Sequence, residues 1–183
     1  MDFYEKTIES TLIYDGSFIS LKIDKVLLPN GNISQRAIVL HSGAAVVVPV
    51  DDENNVIFVK QFRKPIEKVI IELPAGKLDK DENPLECAQR ELEEETGYKA
   101  RELIKLTEIY TTPGFSNEVI HVYLATGLFK GKAHTDADEF VEVLKIKIAD
   151  AISMVKKGEI RDAKTIIGLL LANMYLQEQD LIK

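Results

Sequence analysis

The chain has no tryptophan, and only one cysteine, three histidines and six prolines in 183 residues. The single thiol, Cys87, has nothing to pair with inside the chain, which argues against a disulfide scaffold and for a reducing compartment, the cytoplasm. His41, His121 and His134 form no spaced set, so a zinc centre of His and Cys ligands is not expected. Long apolar runs are missing too: the longest, residues 44–50 and 166–172, fall far short of the ~18 residues that suggest a membrane span. The opening MDFYEKTIES carries acids at positions 2, 5 and 9 and no apolar stretch, unlike a secretory signal. Nor is there a surplus of positive charge. With 23 Lys and Arg against 30 Asp and Glu, the formal net charge of -7 speaks against a general binder of nucleic acid or anionic membrane. Linkers rich in Gly, Ser or Pro, internal repeats and low-complexity tracts are also absent.

What is present suits a soluble globular chain: 45% apolar and 29% charged residues, at a length that most simply makes one domain. The first forty residues read as antiparallel strands over 11–14, 18–28 and 34–41, joined by turns at Asp15-Gly16 and at Pro29-Asn30-Gly31-Asn32. Further strands fit 44–50, 56–63, 69–73, 103–111, 119–126 and 140–148. Asn83 as N-cap, Pro84 at the first helical position, Glu86 at the capping-box position and Gly97 as terminator outline a helix. Two more fit 150–157, closed by Gly158, and 162 to about 177. Strands and helices mix without a regular βαβ repeat, which predicts an α+β fold.

The most informative stretch is residues 76–98. On a helix, with Glu91 at zero, Glu94 falls near -60° and Glu95 near +40°, so three carboxylates share an arc of roughly 100°. Leu85, Ala88 and Leu92 form a buried stripe beside that arc, and Arg90 is spaced to lie between Glu86 and Glu94. Carboxylates crowded into the last turn meet the negative end of the helix dipole, each losing about 0.3–1 kcal/mol. A divalent cation removes the conflict, and hard oxygen ligands are what Mg²⁺ or Mn²⁺ prefers.

Gly76, Glu82, Arg90, Glu91, Leu92, Glu94, Glu95, Gly97 and Tyr98 match, without a gap, the fixed points of the Nudix box, with Tyr98 an aromatic at a usually aliphatic position. The chain therefore resembles a Nudix hydrolase. The resemblance implies an α/β/α sandwich around a mixed sheet and hydrolysis of a nucleoside diphosphate linked to another moiety. Residues 71–79 (IELPAGKLD), 113–118 (PGFSNE) and 138–143 (DEFVEV) are similar to ADP-ribose pyrophosphatases, and Pro113 lies 16 residues beyond Gly97, as in that family. The expected organisation is an N-terminal β segment over 1–41 and a Nudix hydrolase domain over 42–183. By resemblance the first segment builds a homodimer; a meander covering the core of its own chain is the alternative.

The resemblance assigns roles residue by residue. Glu91 and Glu95 become the principal metal ligands, Glu94 a further or water-mediated one, and the Ala75 carbonyl another; Gly76 lets the chain turn tightly there. Glu82, Arg90 and Gly97 support the site, with Glu82 as the loop's partner for the Arg90 fork. Glu139 matches the catalytic acidic residue on a later loop, with Glu142 as its rival. Arg63 and Arg36 match substrate-phosphate arginines, Arg36 reaching in from the other subunit. Glu72 is a candidate for the substrate or the metal waters, and Phe115 and Ser116 for the terminal ribose. The expected activity is hydrolysis of ADP-ribose to AMP and ribose 5-phosphate with two or three Mg²⁺ ions, Mn²⁺ substituting, in the cytoplasm, with neither nucleic acid nor membrane as partner. Alternatives are another nucleoside diphosphate sugar, such as GDP-mannose or ADP-glucose, and a non-catalytic ADP-ribose sensor.

Overall fold

The protein is described by a computed structural model over residues 2–133 and 140–181. In chain order it begins with β1 (Lys6–Asp15), β2 (Ile19–Leu27), β3 (Ile33–His41), β4 (Ala44–Pro49) and β5 (Asn55–Arg63). A 3-10 turn (Lys64–Ile66) leads to β6 (Lys68–Glu72), β7 (Ala75–Lys77), α1 (Pro84–Thr96) and β8 (Tyr98–Lys99). There follow β9 (Glu102–Tyr110), β10 (Val119–Thr126), β11 (Phe129–Lys130), β12 (Glu142–Lys147), α2 (Ile148–Lys156) and α3 (Ala163–Leu181). The mixture is α+β, as the patterning predicts. Among the described residues no helix is long and apolar enough to cross a membrane.

Two compact units can be distinguished. One gathers β1, β2, β3 and the segment Ile109–Val119; the other holds most of the remaining chain. In the first, β1-β2-β3 form an antiparallel meander. Its second turn works because Gly31 takes φ +84, where a side chain is costly, while Leu28 N–H donates to Asn32 O at 2.8 Å. β1 begins at Lys6, five residues before the strand expected at 11–14. Register shifts between Thr7 and Glu9 and between Leu12 and Tyr14 break its alternation, so the period of two that marks a strand is hidden. All ten of its residues are exposed.

In the second unit the sheet order β7-β4-β10-β9 puts β4 between a parallel and an antiparallel neighbour. β4 is buried along its whole length, because successive side chains point to opposite faces and a helix covers each. Ala45 and Val47, with Tyr123 and Ala125 of β10, pack with Cys87, Ala88 and Leu92 of α1. Val48 and Val122, on the other face, lie against α3 at Gly168, where an added Cβ would come within 3.0 Å of Val48. Helix, sheet and helix thus make the expected three layers. A second sheet, β12-β5-β6, carries the other buried run, Val56 to Val59. The short strands β7, β8 and β11 were not anticipated; at two or three residues they are too brief to show a period.

Candidate active site

Local chemistry builds α1 first. Asn83 Oδ1 accepts a hydrogen bond from Leu85 N at 2.9 Å, Pro84 takes the position that needs no donor, and Gly97 closes the helix at φ 70. The buried face differs from the expected stripe. Leu85 is exposed in the first turn, and Cys87 and Glu95 join Ala88 and Leu92 inside. Glu95 therefore lies within the packed face, with Glu91 partly buried at its edge. Burial pushes the Cys87 thiol up to about 12, which leaves it a small packed side chain and no nucleophile.

The register Val46 with Ala75 and Ala45 with Gly76 pins the strand that enters the box against β4. Two carboxylates of α1 meet that strand at one peptide. Ala75 N–H donates to Glu95 Oε2 at 3.0 Å, and Glu95 is only 3% exposed. The Glu91 carboxylate lies so close to Gly76 that an added Cβ would land inside it. A side chain at 76 would displace the Glu91 carboxylate, while φ makes no demand for glycine.

Arg90 ties the remaining acids together. Its Nε and Nη2 donate to the two oxygens of Glu82 at 2.9 and 3.0 Å, and its Nη1 to Glu91 Oε1 at 2.6 Å and Glu94 Oε2 at 3.0 Å. Glu82, the loop partner that the resemblance implies, takes the guanidinium fork, while Glu86, which the helix spacing alone would offer, does not. The pairing with Glu82 raises the Arg90 pKa, and Arg90 in turn holds the Glu82 carboxyl below the usual carboxylate range. Glu82 also accepts from Asp79 N at 2.9 Å, which fixes the loop before the helix.

A second charged cluster stands on β5, β6 and α3. Glu72 is 1% exposed, and Arg63 donates to its two oxygens from Nε at 2.7 Å and from Nη2 at 3.0 Å. Lys164 Nζ donates to Glu72 Oε2 and, at 3.0 Å, to Asp162 Oδ2. The pairing with Glu72 raises the Arg63 pKa, helped by the nearby charges of Glu95 and Asp162, which relates this cluster to the first. Lys164 and Asp162 were not singled out in the sequence. Asp162 was legible only as a helix start, and no local spacing joins residue 164 to residue 72.

The other candidates lie on other elements. Arg36, in the first unit, donates to Glu5 from Nε at 2.8 Å and from Nη2 at 2.6 Å. In that same unit Phe115 is exposed, its carbonyl accepts from Val39 N at 2.7 Å, and Ser116 Oγ accepts from Glu118 N at 3.1 Å. Glu142 opens β12 opposite Lys60 and is ion-paired with it at 3.0 Å. Glu139 and His134 lie outside the described residues.

The donor set fits a hard divalent cation. Among the described residues no three His, Cys, Asp or Glu side chains converge to hold a metal ion by themselves. Mg²⁺ does not need such a set, since it keeps several waters and takes one or two carboxylates plus substrate phosphate. Glu91 and Glu95 on one peptide, the Ala75 carbonyl and Glu94 nearby supply oxygen donors of that kind.

The NUDIX domain model matches residues 40–168. The chain belongs to the Nudix family. A second model, the nucleoside diphosphate sugar hydrolase N-terminal domain, matches residues 5–39. The chain is 48% identical over 181 residues to the ADP-ribose pyrophosphatase of Bacillus subtilis, covering 98% of this chain and 96% of that protein. It is 45% identical over 183 residues to the methanol dehydrogenase activator of Bacillus methanolicus, covering 99% and 97%. A crystal structure of an ADP compounds hydrolase superposes with TM-score 0.87 over 98% of each chain at 18% identity, a likeness of fold. This Nudix hydrolase therefore carries the box of its family on α1 and the strand before it, and the family generally works with divalent metals.

Proposed function

We propose that this Nudix hydrolase cleaves the diphosphate bridge of ADP-ribose, giving AMP and ribose 5-phosphate, in the cytoplasm and with Mg²⁺. The observation that carries the reaction class is the meeting of Glu91 and Glu95 at the 75–76 peptide, where a side chain at 76 would displace the Glu91 carboxylate. The choice of sugar nucleotide is supported by the identity to the B. subtilis pyrophosphatase. Ala75, Glu91 and Glu95 hold the cation, with Glu94 as a further ligand or through water. A divalent ion bound there supplies acidification of water and shielding of the charge that grows on the bridging oxygen.

The chain's own groups do the rest. Arg63, whose side chain is 41% exposed while its Glu72 partner is buried, offers its outer edge to a phosphate. Glu139 accepts the proton of the attacking water, with Glu142 as the other candidate. Arg90 holds Glu82, Glu91 and Glu94 apart at fixed distances, so three acids coexist before the cation arrives. Arg36, Phe115 and Ser116 remain the candidates that the resemblance offers for further substrate contacts, Arg36 from the partner in a homodimer. The test is turnover of ADP-ribose, GDP-mannose and ADP-glucose with Mg²⁺ and with EDTA, products separated by chromatography. ADP-ribose should be the best substrate, and EDTA should stop it; ADP-ribose as the poorest of the three would sink the assignment.

The near full-length identity to the methanol dehydrogenase activator favours a second reading, in which the chain stimulates an alcohol dehydrogenase. Adding the protein to such an enzyme separates the two readings: no stimulation at saturating hydrolase leaves the pyrophosphatase reading alone.

A further inference from the structure

Glu72 is surrounded by more charge than a substrate contact requires. Two cations share it, and they are not equivalent: the Arg63 side chain is 41% exposed and that of Lys164 14%. Only Arg63 has an edge turned to solvent. Lys164 is held from behind by Asp162 Oδ2 at 3.0 Å, and Asp162 is fixed in turn because Thr165 donates to the same oxygen from N at 3.0 Å and from Oγ1 at 2.7 Å. Thr165 Oγ1 also accepts from Leu73 N at 2.9 Å, so the first turn of α3 grips both the side chain of Glu72 and the backbone of its neighbour.

Charge explains why two cations are needed. Arg63, Lys164, Glu72 and Asp162 sum to zero. Without Lys164, Arg63 alone would face both carboxylates, with Glu95 also within its field, and its attraction for an incoming anion would be spent. We infer that Lys164 is a positioning residue for substrate binding: by sharing Glu72 it leaves the outer edge of the Arg63 guanidinium aimed and electropositive for a phosphate. This rests on the reading of Arg63 as the phosphate contact.

The test is steady-state release of AMP from ADP-ribose at saturating Mg²⁺, with thermal melting of each variant. Arg63→Ala should raise KM about tenfold, and Lys164→Met about fivefold with kcat within about twofold of wild type. In the Arg63→Ala background Lys164→Met should add nothing, because the effect passes through Arg63. Lys164→Arg should restore KM. Asp162→Asn keeps the helix cap but removes a negative charge, and should lower KM. An unchanged KM in Lys164→Met, an effect on kcat alone, or additivity with Arg63→Ala overturns the inference while the Arg63 reading stands. If Arg63→Ala itself leaves KM unchanged, that reading falls and the inference with it. Should Lys164→Met fail to melt cooperatively, Asp162→Asn decides: a KM equal to or above wild type overturns the inference.

Discussion

Residue 76 lies within β7 at no positive φ, so the tight turn expected there is not formed; a methyl group would instead occupy the space in which the Glu91 carboxylate lies, and the box glycine makes room for that carboxylate. Gly76→Ala should lower kcat by roughly a hundredfold, because Glu91 must move, while circular dichroism shows an unchanged fold. Arg90 sets a pH dependence. Its fork keeps Glu82 deprotonated below the usual carboxylate value near 4.5, so this pair contributes stability above that pH and loses it as pH falls through the lower native value. The stability gap between wild type and Glu82→Gln should therefore be full near neutral pH and shrink below about pH 4.5; a gap constant down to acid denaturation would contradict the pairing. The spacing of α1 made the Arg90–Glu94 neighbourhood legible, since residues four apart share a face. It could not show which acid takes the fork, because Glu82 lies in the loop before the helix and reaches Arg90 through folding; that pairing was legible only through the family resemblance.

Among elements, the turn between β4 and β5 shows how a polar cluster becomes a fixed bend. Asp51 is partly shielded, which opposes its ionisation, yet Asn55 donates to it from side chain and backbone, and Lys145 of β12 lies 3.1 Å away. The balance lowers its pKa from 3.8 to about 2. A lowered pKa contributes stability above pH 3.8 that disappears as pH falls through about 2. Asp51→Asn should thus be destabilising in chemical denaturation near neutral pH and neutral at the acid end. The run Asp51-Asp52-Glu53-Asn54-Asn55 was readable as a turn from composition. The bond from Lys145, ninety-four residues away, was not. α1 was readable at both ends because its caps are local, whereas the buried position of Glu95 depended on β7, a strand too short to leave a pattern.

On the scale of the whole molecule, the N-terminal sheet stands out for what it exposes. Ile8, Leu12, Ile13 and Tyr14 of β1 are each more than half exposed. That is more apolar surface than an isolated meander tolerates comfortably. It supports the homodimer proposed above, and sedimentation should give twice the chain mass, with Leu12→Asp shifting it towards one chain and reducing turnover if Arg36 serves the partner's site. The fold class followed from patterning, with β4 and β5 as continuous apolar runs, whereas the layered sandwich came from the family resemblance. The join between α3 and Glu72 had no such signature.

The central claim is that acids crowded on one helix are held ready for a divalent ion that meets a diphosphate. Its most direct test is the initial rate of AMP release from ADP-ribose across a Mg²⁺ titration, for wild type and Glu95→Gln. The wild-type rate should rise from nothing in EDTA to saturation, and Glu95→Gln should be slower by roughly a hundredfold or more at every concentration. A rate indifferent to the metal, or equal in the two proteins, would contradict the account.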